Sequence, residues 1–234
     1  MDRFLRTEAL FGKASMDKLK NSRVIVFGVG GVGGYIVEAL ARSGVGAIDV
    51  VDPDLVAKSN INRQIIALES TVGRKKTEVI KERILSINPQ AQVNCFDIFY
   101  LPENSHLIDL SVYDYIVDAI DTVPAKVDIV CRAKELDIPV ISSMGFGNKL
   151  NPTMVEVADI SKTSVCPLAR TMRRLLRAKG INHLKTVYSK EIPTTPQCEL
   201  DSSGKPTVAS VAFVPSVAGL VIASEVIKDL AKTD

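Results

Sequence analysis

The stretch VIVFGVGGVGGYIVEAL, residues 24–40, decides the fold. Four apolar residues lead into a cluster of glycines, and a helical pattern follows. A short buried strand, a tight turn and a helix are expected in that order. Gly28, Gly30 and Gly33 match G-x-G-x-x-G, with Gly31 as an extra glycine inside it. Such a turn brings backbone N–H groups and a helix N-terminus against phosphate oxygens. Asp52 follows Gly28 at the end of a second apolar run, where a carboxylate can accept both hydroxyls of a ribose. These features indicate an adenine nucleotide without saying which one.

Working outward, strands and helices alternate. GAIDVVDPD reads as the second strand, with a helix over 35–43 before it that Gly44 closes. A helical stripe occupies 73–88 and stops at Asn88-Pro89. AQVNCFDIF (91–99), VYDYIVDAID (112–121) and IPVISSMG (138–145) read as strands three to five, with a helix over 124–136. This alternation predicts an α/β, Rossmann-like, doubly wound and mostly parallel sheet with both faces covered. Beyond Gly145 the expectation is a C-terminal extension: a strand in TMVEVADI, a basic helix over 164–178, a loop or flap over 184–206 and a closing apolar helix over 215–230. The run VASVAFVPSVAGLVIA (208–223), broken by Pro215 and Gly219, reads as a buried strand and helix and not as a membrane span. The whole of 1–234 is expected to be one nucleotide-binding domain, with 160–206 as a basic, flexible, RNA-facing segment within it.

Composition narrows the chemistry. The four cysteines lie far apart with no C-x-x-C pair, which argues against structural zinc and fits a reducing cytoplasm. Two histidines in no ligand spacing argue against histidine acid–base or metal chemistry. The N-terminus is charged and has no apolar core of a signal peptide. Within a net charge of +2, the window 161–190 has no Asp or Glu and eight Lys or Arg, so the remaining residues carry a net −6. On a helix, Arg170, Arg173, Arg174 and Arg177 share one face, suited to RNA phosphates.

Residues 52–64, DPDLVAKSNINRQ, separate a dinucleotide cofactor from a triphosphate substrate. An NAD domain needs no Asn-Arg-Gln cluster, whereas nucleotidyl transfer needs cations where charge builds on phosphates. Arg63 and Lys76 are the candidate cations, and Asn60 can orient an oxygen. Asp118 and Asp121 follow strand four at the carboxyl edge of the sheet, and Asp121 can hold Mg²⁺ bridging phosphates.

The order G-x-G-G-x-G, D-x-D, S-N-x-x-R-Q, a helix-start lysine and D-x-x-D resembles the ubiquitin-activating-enzyme-like superfamily, which includes the ThiF/MoeB/HesA adenylyltransferases. The resemblance implies an ATP site built from Gly28, Gly30, Gly31, Gly33, Asp52, Asp54, Asn60, Arg63, Gln64, Lys76, Asp118 and Asp121. It also implies a homodimer in which an N-terminal arginine, Arg6 in preference to Arg3, reaches the partner's ATP. Members that activate sulfur carriers usually carry two C-x-x-C zinc pairs, absent here.

DAIDTVPAK, NPTMVEVADISKTSVCPLARTMRRLLR and FVPSVAGLVIASEVIKDL are similar to the tRNA threonylcarbamoyladenosine dehydratases, also called TcdA or CsdL. That likeness implies ATP-dependent cyclodehydration of a modified tRNA adenosine with release of AMP. It further implies a monovalent cation (Na⁺ or K⁺) held by loop carbonyls, and a cysteine desulfurase system as a sulfur-transfer partner. The main alternative is a ThiF/MoeB-like enzyme that adenylates the C-terminus of a ubiquitin-like sulfur carrier. A nicotinamide dehydrogenase and a non-catalytic nucleotide sensor are weaker readings. Cys198 is a poor nucleophile candidate because neighbouring Glu199 raises a thiol pKa.

Overall fold

The computed structural model describes residues 2–197 and 208–232. Two short helices come first, α1 (Leu5–Phe11) and α2 (Lys13–Asn21), neither anticipated from the sequence. Then follow β1 (Arg23–Phe27), α3 (Gly33–Arg42), β2 (Ala47–Val51), α4 (Lys76–Ile87), β3 (Cys95–Phe96), β4 (Tyr115–Asp118), α5 (Val123–Glu135) and β5 (Val140–Ser143). The chain ends with β6 (Val155–Asp159), α6 (Pro167–Ala178), β7 (Lys185–Ser189) and α7 (Phe213–Ala231).

The strands form one sheet in the order β3-β2-β1-β4-β5-β7-β6. All pairs are parallel except β6 with β7. β1 therefore lies between β2 and β4, and the connections leave it in opposite directions. The carboxyl ends of β1 and β4 make the switch point, where such sheets open a crevice.

Side chains alternate across the sheet. Val24 and Val26 enter a core with Ile36, Leu40, Ile222 and Val226, so α3 and α7 cover that face. Ile25 and Phe27 enter the opposite core with Ile129, Val130, Met172 and Leu176, so α5 and α6 cover the other. Burial on both sides explains why β1 and β2 are nearly continuous apolar runs.

Three expectations need correction. Residues 184–206 are not simply a loop: Lys185–Ser189 is an interior strand, parallel to β5 and antiparallel to β6. Its polar residues are satisfied by tertiary partners, as when Thr186 Oγ1 donates to Ala158 O at 2.8 Å and Tyr188 Oη donates to Glu156 at 2.6 Å. The third strand shrinks from 91–99 to Cys95–Phe96, and residues 208–212, expected in a strand, form none. No helix among the described residues is long and apolar enough to cross a membrane.

Lys185 also ties β7 to α7, with Nζ 2.6 Å from Asp229 and 3.2 Å from Glu225. Burial disfavours the Asp229 carboxylate, but hydrogen bonds from Lys185, Lys232 and Tyr115 outweigh it and hold its pKa below the ordinary value. The Lys228 bond, with help from Lys185, lowers Glu225 likewise. Carboxyls with depressed folded pKa values add stability above their unfolded pKa, about 4, and lose it as the pH falls through the folded value. Lys185→Met is expected to flatten the acid limb of the melting temperature between about pH 5 and 3. An acid limb as steep as the wild type's would contradict this assignment.

Candidate nucleotide site

A cavity of about 600 Å³ opens at the switch point. Its floor is the turn after β1. Gly28 takes φ +86°, a conformation a side chain resists, and its N–H donates to Val51 O at 2.7 Å. Gly30 and Gly31 line the cavity. Gly33 does not reach it. It packs α3 against the turn so closely that a Cβ there would lie 1.8 Å from Gly28 O.

Asp52 fixes this turn. One carboxylate oxygen accepts the Val29 N–H at 2.8 Å and the other the Asp54 N–H at 3.0 Å. Both Asp52 and Lys76 are buried, and both line the cavity. Lys76 Nζ lies 2.7 Å from Asp54 and 3.6 Å from Asp52. Its charge is thus balanced at the first turn of α4, with Asp54 on the exposed side.

Arg63 reaches the same cavity from the turn after residues 58–60. Its Nη1 donates to Ser59 O at 3.0 Å and to Asn62 Oδ1 at 2.8 Å. Asn60 lines the wall while its Oδ1 accepts the Ala57 N–H, so that side chain also holds its own turn. Gln64 is buried against the cavity, and its Oε1 has no hydrogen-bond partner among the described residues. An unpaired buried carbonyl is costly and suits a ligand that donates a hydrogen bond.

The two aspartates after β4 separate. Asp121 is exposed and lines the cavity, touched by the Thr122 hydroxyl at 3.5 Å. Asp118, expected in the site, is fully buried and does not line it. Its partner is Lys126, also fully buried, 2.7 Å away. Lys126 Nζ further donates to Ile120 O at 3.1 Å and Ser143 O at 2.8 Å. The parity of a short strand sends Asp118 under the sheet edge, and Lys126, from α5, meets it there.

Several wall residues had no signal in the sequence. Phe99 is 54% exposed on the cavity wall, while Tyr100 beside it donates its hydroxyl to Asp128 at 2.7 Å. Met144 to Gly147, Val208, Ser210 and Pro215 complete the wall from distant parts of the chain. Leu168 brings the start of α6 to the same wall.

Along α6, Arg170, Arg174 and Arg177 are exposed, one turn apart. Arg173 departs from that face: its guanidinium donates to Ile160 O at 2.9 Å and Thr163 O at 2.6 Å. Lys185 and Lys190 are likewise taken up by carboxylates. Arg6 is exposed on α1 and lies outside this cavity, and Arg3 donates to Ile87 O at 2.6 Å. Cys198 lies outside the described residues. Burial pushes the Cys95 and Cys131 thiols up, away from thiolate chemistry. No cluster of metal-ligating side chains occurs among the described residues.

The ThiF family sequence profile matches residues 2–234.

The chain belongs to the ThiF family.

A relative from Bacillus subtilis, tRNA threonylcarbamoyladenosine dehydratase, is 42% identical over 243 aligned positions, covering 99% of this chain and 96% of that one. The crystal structure of E. coli tRNA N6-threonylcarbamoyladenosine dehydratase, TcdA, in complex with AMP superposes with a TM-score of 0.89 at 35% identity, over 97% and 93% of the two chains. The same E. coli enzyme in complex with ATP gives 0.87 at 33%, over the same shares. Within this ThiF chain, the Asp118–Lys126 pair is the interior support of the cavity edge. Removing one member of a buried pair leaves an uncompensated charge, so Lys126→Met should lower the unfolding free energy by about 3–5 kcal/mol. Urea denaturation measures this, and a loss under about 1 kcal/mol would show that the pair contributes little.

Proposed function

We propose that this ThiF-family protein is an ATP-dependent tRNA threonylcarbamoyladenosine dehydratase. One observation carries the reading. The Gly28–Gly31 turn, Arg63, Lys76 and Asp121 line one cavity, and α6 with its exposed arginines meets that cavity through Leu168.

The chemistry follows from the substrate. A carboxylate resists attack because its oxygen leaves poorly. In the proposed first step the threonine carboxylate attacks the α-phosphorus of ATP, pyrophosphate leaves, and the carboxyl oxygen becomes part of AMP. The carbamoyl oxygen of the same side chain then attacks the activated carbonyl carbon and AMP departs. The ring closes to the oxazolone with net loss of water. Ring closure within one molecule can gain an effective molarity of about 10⁵ M or more, so no enzyme nucleophile is needed.

The residues divide the work. Asp52 accepts from the ribose hydroxyls. Arg63 and Lys76 stabilise charge on the phosphates, where preorganised cations act most strongly. Lys76 exchanges its contact with exposed Asp54 for phosphate oxygens, which keeps its buried charge paired. Mg²⁺ suits the donor set, because this ion takes one or two carboxylates plus substrate phosphates and water. Asp121 would hold it, and it would neutralise phosphate charge. A monovalent cation would use loop carbonyls. Arg170, Arg174 and Arg177 contact tRNA phosphates, and Arg6 serves the nucleotide of a second copy in a homodimer.

The test supplies ATP, Mg²⁺ and tRNA bearing threonylcarbamoyladenosine. Mass spectrometry should find the nucleoside lighter by one water, with AMP formed in proportion. Arg63→Ala and Lys76→Ala should each slow both signals by about 10²- to 10³-fold. Replacing Arg170, Arg174 and Arg177 with Ala should raise the KM for tRNA and reduce its salt dependence without altering ATP affinity. Undiminished yield from the Arg63 and Lys76 variants would refute the site assignment. Adenylation of a ubiquitin-like carrier in place of tRNA would favour the alternative enzyme.

A further inference from the structure

Arg63 is aimed by a hydrogen-bonded connection between two walls of the cavity. Its Nη1 carries two hydrogens, and Ser59 O and Asn62 Oδ1 accept both. Only Nε and Nη2 remain for a ligand. The rotation of the planar fork therefore depends on where Asn62 sits.

Asn62 is held from the other side. Its Nδ2 donates to Ser210 O at 3.0 Å, so a single amide bridges Ser210 and Arg63. Ser210 is one residue from a second anchor, Ala209. There Asn148 N–H donates to Ala209 O at 2.7 Å, and Asn148 Oδ1 accepts the Ala209 N–H at 2.7 Å. Asn148 adopts φ +59°, a left-handed conformation that asparagine tolerates. Its own carbonyl accepts from Thr194 N–H at 2.8 Å. The loop that carries it is pinned on both sides: Lys149 Nζ donates to Ser189 O at 3.0 Å, and Glu191 accepts the N–H groups of Leu150 and Asn151 at 2.8 Å. Val208 and Ser210 line the cavity, as does Gly147 beside Asn148.

We propose that Asn62 and Asn148 are positioning residues that aim Arg63 through the Ala209–Ser210 backbone. One hydrogen-bonded path runs from the loop after β5, across residues 209–210, to the turn after β2. It joins two walls of the cavity that are 86 residues apart in sequence. Neither asparagine needs to touch ATP. They determine where the remaining donors of Arg63 point when charge develops on the phosphates, so their loss slows the chemical step more than it weakens binding.

The inference rests on the proposed ATP-dependent activity, and the experiment separates the two. AMP formation is followed in single turnover with threonylcarbamoyladenosine tRNA, and ATP affinity is measured by calorimetry. Asn62→Ala and Asn148→Gly should each slow AMP formation by about tenfold at saturating ATP, with affinity changed by less than about threefold. Asn148→Gly keeps the left-handed backbone and removes the side chain that accepts the Ala209 N–H. The double variant should be no slower than the slower single variant, because both act on one path. Asn148→Asp retains an acceptor for the Ala209 N–H and should recover most of the rate. Effects that multiply in the double variant, an Asn148→Asp as slow as Asn148→Gly, or singles at wild-type rate would overturn the proposal. A wild-type protein that binds ATP but forms no AMP would instead overturn the activity reading.

Discussion

A buried ammonium organises the working edge of this protein. Lys126 has no access to solvent, and it joins Asp118 at the end of β4 to backbone carbonyls at Ile120 and Ser143. Burying two charges costs several kcal/mol per ion unless geometry and extra hydrogen bonds compensate. Here the carboxylate takes Lys126 and the Ser142 hydroxyl, while the ammonium takes two carbonyls besides. Both members of the pair are thus hydrogen-bonded beyond their mutual contact. The arrangement locks the ends of β4 and β5 together, and those ends carry Ala119 to Asp121 and Ser143 to Gly147, which are cavity wall.

The cavity above it manages charge differently. Lys76 is as buried as a core residue but sits between two carboxylates, one inside and one exposed. Such a cation stays paired and can change partners when a more highly charged anion arrives. Arg63 acts through orientation, because its planar fork offers a ligand only the donors that Ser59 and Asn62 leave free. The two cations are thus held in distinct ways, one between carboxylates that it can exchange and one by a fixed aim.

Much of this was readable in the chain. The glycine turn, Asp52, Arg63 and Lys76 fall where spacing put them because a parallel strand has one carboxyl end and the ligand crevice lies there. β7 was hidden because Thr186 and Ser189 are polar, yet both are fully buried and bonded by neighbours that sequence spacing does not reveal. Asp118 and Asp121 are three residues apart and chemically identical. Strand position, together with Lys126 and Ser142 beneath the sheet edge, distinguishes the structural carboxylate from the one on the cavity. Arg173 is the same lesson on a helix: three of four arginines face out, and the fourth turns inward toward the carbonyls of Ile160 and Thr163. The contributions of residues 208–210 and 215 come from folding the far end of the chain back over the first turn, which no local pattern encodes.

Because the cavity wall draws on residues from Gly28 to Pro215, anything that occupies it acts as a non-covalent cross-link across nearly the whole polypeptide. Opening any one wall segment then requires release of the occupant. At a hundredfold excess over its dissociation constant that adds about 2.7 kcal/mol to the cost of unfolding. Resistance of the folded chain to proteolysis is in this way coupled to the concentration of that occupant.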